Sequence, residues 1–418
     1  MAMPFGFVPV VPPFAGVHQT ESVVTAYAAA LAARGGERQD PADLSAQLPL
    51  FYLVATGGTE GVVMELRAVR TKTALREPVF LIAHPDNNSL PASLEVLARL
   101  QQEGVPGRIF YLNSPNDEDG LGAIDRAAED LRVRAALESA RIGLVGDPSD
   151  WLVASSPAAE VVRETWGPQV ISVPMIELVS RIQAAGAGPA PTCEDSAASL
   201  ADSATGLVEP TSEDVASAVG TYEALRGLVE EHRLDAVTVR CFDLVMQCKT
   251  AGCFALSELT DSGVIAGCEG DLVSTVGMMW VRLLSGETPW MANPAQLDEA
   301  ANALWLAHCT VPRSLVEEYR LRSHFESGLG VGIQGVLPNG PVTLLRIGGP
   351  RMERLWLAEG EIVGSGDSED LCRTQALIHL ESGHVSELLR APLGNHIVVA
   401  FGHHADRLLG YWDAMVRR

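Results

Sequence analysis

The 418-residue chain has 53 acidic and 30 basic residues, a formal net charge of −23 at pH 7, and a hydrophobic fraction of 47%. This length and composition indicate a globular protein with two or three domains. The negative charge repels nucleic-acid phosphates and anionic membrane surfaces, so we expect neither as a partner and instead expect a cation or a neutral polyol. A basic leader and an apolar run of about 20 residues are both missing, which predicts a cytoplasmic protein.

The first third of the chain alternates short apolar segments with helical patterns. Residues 50–55 (LFYLVA) end in the turn TGGTE, and residues 78–83 (PVFLIA) end at His84 before a polar stretch. Apolar runs that end in polar turns before helices are typical of parallel α/β units, so we predict an N-terminal α/β domain over residues 1–137. His84 follows a strand end, where ligands bind such sheets, and is a candidate substrate-binding residue. A loop histidine with local hydrogen bonds fits the same pattern.

A second set of strand–helix units begins at residue 138. Residues 141–146 (RIGLVG) and 236–239 (AVTV) are apolar segments followed by polar residues. Between them, residues 185–214 are small and acidic without an apolar period, which predicts an exposed crossover. We assign residues 138–290 to a second α/β domain.

The motif CEGD at residues 268–271 lies near the end of this second domain. It follows an apolar segment and precedes a helical pattern that starts at Leu272. We therefore expect Glu269 and Asp271 in the first turn of a helix, where unpaired N–H groups and the helix dipole favour negative charge. Carboxylates at such a position either cap the helix or face a cation, and the motif alone leaves both interpretations open.

The remaining sequence, residues 291–418, has the spacing of antiparallel β structure. From Gly328 onward, short alternating segments are separated by turns such as PNGP and GGP. This spacing predicts hairpins in a small barrel. A last strand at residues 396–401 carries His396 and is followed by His404. Both histidines therefore lie near an end of this strand. The whole chain is thus predicted as an α/β protein, with two Rossmann-like parallel-sheet α/β domains followed by a β-rich, small-barrel C-terminal domain.

Four segments of the second half resemble the L-fucose isomerase and L-arabinose isomerase superfamily, whose members interconvert aldoses and ketoses on a divalent cation, usually manganese. The segments are GCFALSELTDSGVIAGCEGD, GETPWMAN, LAHCTVP and APLGNHIVVAFGHHAD. In the second of them we expect a turn that ends at Asn293, and in the third we expect a helix to lead to His308. The resemblance also implies a homo-oligomer, a trimer or a hexamer, because related isomerases complete their active-site clefts with a neighbouring subunit.

The resemblance also implies a metal site. By position, Glu269 corresponds to the family's metal-binding glutamate, Asn293 to a metal-binding aspartate, and His396 or His404 to the C-terminal histidine. Asn293 departs from the family pattern, since an amide oxygen can bind a cation but carries no charge and does not exchange a proton near pH 7. We take Glu269, Asn293 and His396 as the metal ligands and Mn²⁺ as the divalent metal.

The function that follows is a metal-dependent aldose–ketose isomerase, an intramolecular oxidoreductase that moves a proton between C1 and C2 of a sugar through an ene-diol. This reaction needs a base, a proton carrier and an electrophile. The candidate catalytic residues are Glu269, Asp271 and His308. The candidate substrate-binding residues are Glu258, His84, Arg351 and His404.

Two alternative functions remain open. Asn293 favours a non-catalytic sugar- or polyol-binding protein on the same scaffold. The second alternative is an isomerase or epimerase of a phosphorylated or acidic sugar, whose anionic group Arg351 or Arg240 could bind. Structural roles also fit single residues, because Glu258 fits a surface charge on a helix and His308 fits a buried core histidine.

Overall fold

The computed structural model describes residues 4–12, 17–44, 48–72, 77–186 and 191–416. The chain forms two compact units, Met1–Ala135 with Leu409–Arg418, and Ala136–Leu408. The first division lies two residues before the boundary that we predicted. The second unit contains both the second parallel sheet and the barrel.

The first unit is built on a five-stranded parallel sheet in the order β2-β1-β3-β4-β5. Its strands are β1 Phe5–Val10, β2 Gly36–Arg38, β3 Leu50–Val54, β4 Val79–Ala83 and β5 Gly107–Tyr111. Its helices are α1 Val17–Ala33, α2 Glu60–Arg70, α3 Ser89–Gln102 and α4 Glu118–Ser139. Helices α1 and α4 bury one face of the sheet and α2 and α3 bury the other. Because both faces are covered, the central strands are continuous apolar runs rather than alternating ones.

The second unit begins with a four-stranded parallel sheet in the order β10-β9-β6-β7. The elements in chain order are β6 Arg141–Val145, α5 Ala159–Thr165, β7 Gln169–Val173, α6 Met175–Gly186, α7 Pro191–Ser203, β8 Gly206–Leu207, α8 Ser212–His232, β9 Ala236–Val239, α9 Cys241–Cys248, α10 Cys253–Asp261, β10 Ile265–Cys268 and α11 Leu272–Ser285. The carboxyl ends of β6, β9 and β10 therefore meet at one edge of this sheet, as in other open parallel sheets.

Most side chains described in the predicted crossover at residues 185–214 are exposed as expected, but the stretch also contributes to a core, and residues 187–190 lie outside the described part. Helix α7 occupies 13 residues of this stretch, and its Ala197 and Leu200 are buried in a hydrophobic core. Residues three apart lie on one helix face, so these two side chains pack into the core together. The many small and acidic residues around them conceal this face in the sequence.

The second unit ends in a closed antiparallel barrel with the strand order β11-β12-β17-β16-β15-β18. The elements after α11 are β11 Trp290–Asp298, β12 Ala303–His308, β13 Glu318–Arg322, β14 Gly332–Val336, β15 Gly340–Gly348, β16 Arg354–Gly366, β17 Thr374–Ser382, α12 Ser386–Arg390, β18 Ile397–Phe401 and α13 Ala405–Met415. Strands β14, β13 and β8 form a separate three-stranded sheet. The predicted fold class, α/β with parallel-sheet domains and a C-terminal β-barrel, is confirmed.

Two local predictions at the start of the barrel are wrong. The segment ending at Asn293 belongs to strand β11 rather than to a turn, and His308 ends strand β12 rather than following a helix. In β12, Leu304 and Leu306 point into the core of the barrel. A short apolar run such as ALWLA has no period that distinguishes a helix from a strand, and pairing with β11 and β17 decides the outcome.

In the described ranges no helix combines the length and the apolar character that crossing a membrane requires.

Candidate metal centre and active site

The candidate site lies in the second unit. The CEGD motif forms a tight connection between β10 and α11. Glu269 and Gly270 both adopt left-handed backbone conformations, with φ of +63° and +74°. A Cβ atom on Gly270 would lie 2.7 Å from the Cα of Pro148, so only glycine fits there. The Ser149 N–H donates to the Glu269 carbonyl oxygen at 2.8 Å, which ties the connection to the loop after β6. Glu269 thus precedes the helix, which corrects its predicted place in the first helical turn.

Asp271 is the N-cap residue of α11 and is fully buried. Its Oδ1 accepts the Ser274 N–H at 2.8 Å, as capping chemistry predicts. Its Oδ2 accepts hydrogen bonds from the Ser274 hydroxyl at 2.7 Å and from Nδ1 of His396 at 2.9 Å, and lies 3.2 Å from Nη1 of Arg346. Burial alone would raise the pKa of Asp271, but the Arg346 guanidinium, His396 and the Ser274 N–H outweigh it and hold the pKa well below its usual range. Asp271 is therefore a buried carboxylate with a full set of partners.

Arg346 in β15 supplies the positive charge that this carboxylate needs. The side chain is 2% exposed and donates to the hydroxyls of Ser274 and Ser155 as well as to Asp271. It passes Gly394, where a Cβ atom would lie 2.2 Å from Nη2 of the arginine. Sequence reasoning missed Arg346, and the only signal was a single arginine within the apolar segment VTLLRIG.

His396 lies immediately before β18 and is fully buried. Since the Asp271 carboxylate only accepts hydrogen bonds, Nδ1 of His396 carries a proton, and in the tautomer with a single ring proton Nε2 keeps the lone pair. In the described part of the chain this Nε2 has no hydrogen-bond partner, and it lies 3.8 Å from Oε2 of Glu269. A buried imidazole lone pair thus faces a carboxylate across a gap too long for a hydrogen bond.

The Glu269 side chain is 13% exposed, and its Oε2 accepts the indole N–H of Trp151 at 2.6 Å. Trp151 belongs to the loop after β6. Two strand ends of the same parallel sheet therefore supply the anionic group and the donor that orients it.

His308 at the end of β12 lies beside His396, with ring centroids 5.5 Å apart and ring planes inclined at 72°. Its Nδ1 is 2.8 Å from the Thr310 hydroxyl. Burial, with a smaller contribution from His396, lowers the pKa of His308 to about 3. His308 is consequently neutral throughout the physiological pH range.

Asn293 is placed near this group by strand register. Ala292 of β11 pairs with Ile397, the residue after His396, and Asn293 pairs with Ala307, the residue before His308. Along a strand, alternate residues face the same side, and Asn293 shares its side with Met291, whose sulfur accepts the Cys268 N–H at 3.3 Å. The backbone of Asn293 therefore lies beside β12, which ends at His308, and near the start of β18, which follows His396.

The other predicted substrate-binding residues of this unit form hydrogen bonds elsewhere. Glu258 accepts from Nε of Arg313 at 3.2 Å, Arg351 donates to Glu164 at 3.0 Å, and Nε2 of His404 donates to the Phe401 carbonyl oxygen at 2.7 Å. In the described residues none of the three hydrogen-bonds to the Asp271–His396 group.

His84 lies in the first unit, where it is fully buried at the end of β4. Its Nδ1 accepts the Asp86 N–H at 3.2 Å, and its ring stacks on Tyr27 with centroids 4.9 Å apart. Burial lowers its pKa. The contacts of Nδ1 and of the ring face match the loop-histidine interpretation, whereas the buried Nε2 has no hydrogen-bond partner among the described residues.

Comparison with known proteins gives distant relatives of one kind. No protein-family model matches the chain. A sulfoquinovose isomerase of Alkalicoccus urumqiensis is 25% identical over 265 residues, 60% of this chain and 58% of that protein, so the match spans less than two thirds of its length. A sulfoquinovose isomerase of Clostridium sp. (strain MSTE9) is 22% identical over 359 residues, 82% of this chain and 78% of that protein. One of Priestia megaterium is 21% identical over 310 residues, 72% of this chain and 68% of that protein.

Proposed function

We propose that this protein is a sugar isomerase that interconverts an aldose and a ketose on a divalent cation, Mn²⁺. The observation that carries the proposal is the unpartnered Nε2 of His396 beside the Glu269 carboxylate. The relatives' shared name supports the reaction class and makes sulfoquinovose, a sulfonated aldose, the proposed substrate.

The donor atoms fit a cation of this kind. A buried lone pair without a partner costs about 1–3 kcal/mol, and a cation between Nε2 of His396 and the Glu269 carboxylate would remove that cost. Imidazole nitrogen and carboxylate oxygen are ligands that Mn²⁺ accepts. Glu269 and His396 would hold the ion, and the amide oxygen of Asn293, or a water, would complete the set.

The supporting residues prepare His396 for this role. Asp271 accepts the Nδ1 proton of His396, which fixes the tautomer and the ring orientation, and a carboxylate behind a histidine raises the basicity of its other nitrogen. Arg346 in turn keeps Asp271 ionised and in place. The alternative interpretation of Asp271 as a helix cap holds at the same time, because its two oxygens serve both partners.

The bound cation would supply the electrophile for the two oxygens on adjacent sugar carbons. The proton transfers are then carried by this chain's own groups. Glu269 is the anionic group at the site and can take the proton from C2 and return it to C1, while neutral His308 can pass a proton between the two oxygens.

Proton–deuterium exchange tests this function without requiring a complete turnover assay. The purified protein is stripped with a chelator, reloaded with Mn²⁺ and incubated in D₂O with sulfoquinovose and with unsulfonated aldoses and ketoses. We expect exchange at C2 that requires Mn²⁺ and is lost in Glu269→Gln. Asn293 favours the second candidate function, a non-catalytic sugar-binding protein, and Mn²⁺-loaded protein that binds a sugar without any exchange would establish that alternative instead.

A further inference from the structure

One large and partly exposed aromatic side chain contacts the candidate site. All seven tryptophans lie in described residues, and Trp151, at 48% exposure, is the single exposed one among them. Its indole N–H points at Glu269 Oε2 at 2.6 Å. The ring is therefore held beside the proposed metal ligand with one end bonded and with much of its surface open to solvent.

The position of this ring is fixed by its neighbours. Trp151 meets Phe242 edge-to-face, with centroids 5.0 Å apart and planes at 81°, and Phe242 meets His324 in the same manner at 5.3 Å and 82°. The loop that carries the indole is tied down as well, because Nη1 of Arg240 donates to the Pro148 carbonyl oxygen at 2.7 Å. The rings of Trp151, Phe242 and His324 come from three separate segments and hold one another in place. The exposed indole is therefore preorganised for contact with a ligand.

Among the grouped side chains, Glu269 is the most exposed. His396 and Asp271 are fully buried and His308 is 4% exposed, whereas the Glu269 side chain keeps some exposure. Glu269 is therefore the member of this group that solvent reaches, and Trp151 is bonded to it. A single exposed apolar residue is ordinary on a protein surface. Trp151 differs from such residues because its exposed indole is bonded to the site's anionic group.

We propose that Trp151 is a substrate-binding residue whose exposed indole face packs against the C–H groups of the sugar carbons beyond C2. This inference rests on the proposed function for the class of ligand. Sugar C–H groups carry partial positive charge, and the face of an indole ring is negative, so the two surfaces are complementary. Through its N–H the same residue also orients Glu269, and the two roles are separable by substitution.

Two variants separate the ring from the N–H. Trp151→Phe keeps an aromatic surface and removes the donor to Glu269, while Trp151→Ala removes both. With saturating Mn²⁺ and sulfoquinovose as the varied substrate, we expect KM to rise about tenfold in Trp151→Ala and much less in Trp151→Phe, since an aromatic contact contributes roughly that factor. The affinity for Mn²⁺ alone, followed by electron paramagnetic resonance of the free ion, should fall equally in both variants. Val153→Ala is the matched control, because Val153 is 91% exposed in the same loop, and its KM should equal that of the parent.

Tryptophan fluorescence gives a readout that does not require catalysis. Sugar added to Mn²⁺-loaded parent protein should change the emission, and the change should vanish in Trp151→Phe, which keeps the six other tryptophans. Equal KM values in Trp151→Ala and Trp151→Phe, or no sugar-dependent change in the parent, would overturn the inference. If the sugar changes Trp151 emission but no sugar exchanges protons, this inference stands and the proposed catalysis fails. If the parent isomerises sugar while Trp151→Ala keeps its KM, the inference alone fails.

Discussion

The Nδ1 atom of His396 lies 2.9 Å from Oδ2 of Asp271, and both side chains are fully buried. The contact joins the residue before the last barrel strand to the residue that caps the helix after β10 of the parallel sheet. Because the carboxylate can only accept a hydrogen bond, the contact fixes which ring nitrogen carries the proton. The lone pair of the other nitrogen is thereby directed at Glu269, and this relationship underlies the predictions on metal binding.

Substitution of the two carboxylates should give opposite results. Glu269→Gln removes a proposed ligand at a partly exposed position, so we expect weaker Mn²⁺ binding, loss of exchange at C2 and little change in stability. Asp271→Asn leaves the buried Arg346 without its counter-charge, and we expect a loss of about 3–5 kcal/mol. This exceeds the loss of about 1 kcal/mol that capping alone predicts. Mn²⁺ titration and urea unfolding of the metal-free proteins measure the two effects, and equal stability of the two variants would contradict the assignment.

Arg346 and Asp271 should be strongly coupled. Arg346→Met leaves a buried carboxylate unpaired, so we expect a destabilisation of about 3–5 kcal/mol by urea unfolding. The double variant Arg346→Met with Asp271→Asn has neither charge, and its loss should be clearly smaller than the sum of the two single losses. Additive losses would show that the two side chains do not depend on each other.

Asn293→Asp should tighten Mn²⁺ binding. A carboxylate at this position restores a second anionic oxygen to the proposed ligand set and attracts the cation more strongly than an amide does. The control is Asn116→Asp, which adds the same charge at an exposed position of the first unit and should leave the affinity unchanged. If neither Asn293→Asp nor Glu269→Gln changes Mn²⁺ affinity, the proposed metal site does not exist.

Stability should decrease as the pH falls because of His308. Its pKa is lowered to about 3 by burial, against about 6.5 in an unfolded chain. The unfolded state therefore binds more protons between these values, and folding loses roughly 1.4 kcal/mol for each pH unit on acidification from about 6.5 toward 3. Urea unfolding of metal-free protein between pH 4 and 7 should give a steeper pH dependence in the parent than in His308→Phe. Parallel curves would contradict the shift.

Gly394→Ala should destabilise the protein through Arg346. The glycine has a φ of +146°, and an added Cβ would lie 2.2 Å from Nη2 of the arginine. Both the backbone strain and the displaced guanidinium oppose folding, so we expect a loss of at least about 1–3 kcal/mol. Gly410→Ala is the control, because Gly410 is exposed in α13 with nothing within 4 Å of an added Cβ, and it should be neutral or slightly stabilising. Thermal unfolding compares the two variants.

Much of the fold could be predicted because it follows from local pattern. The parallel units appear as short apolar runs with polar ends, and the barrel as hairpin spacing after Gly328. The strand that ends at His308 could not be recognised, since a six-residue apolar segment fits a helix equally well and only its pairing with β11 and β17 decides.

The candidate site could be predicted only in part. Glu269, Asp271 and His396 stand in recognisable motifs, and the structure brings these three together. Arg346 and Trp151 were missed because each acts on a residue far away in sequence. Arg346 meets Asp271 across 75 positions and Ser155 across 191, and Trp151 meets Glu269 across 118.

The sequence by itself determined the order of the α/β units, the β-rich end and the motif with two carboxylates, because these depend on side-chain periodicity and on neighbours within a few residues. Only the tertiary structure decided what each carboxylate does. Closure of the barrel brings His396 and Arg346 to Asp271, which makes that carboxylate a buried, paired support, and it leaves Glu269 facing an unpartnered imidazole nitrogen. Burial and pairing are properties of the assembled core, and no local run of residues encodes them.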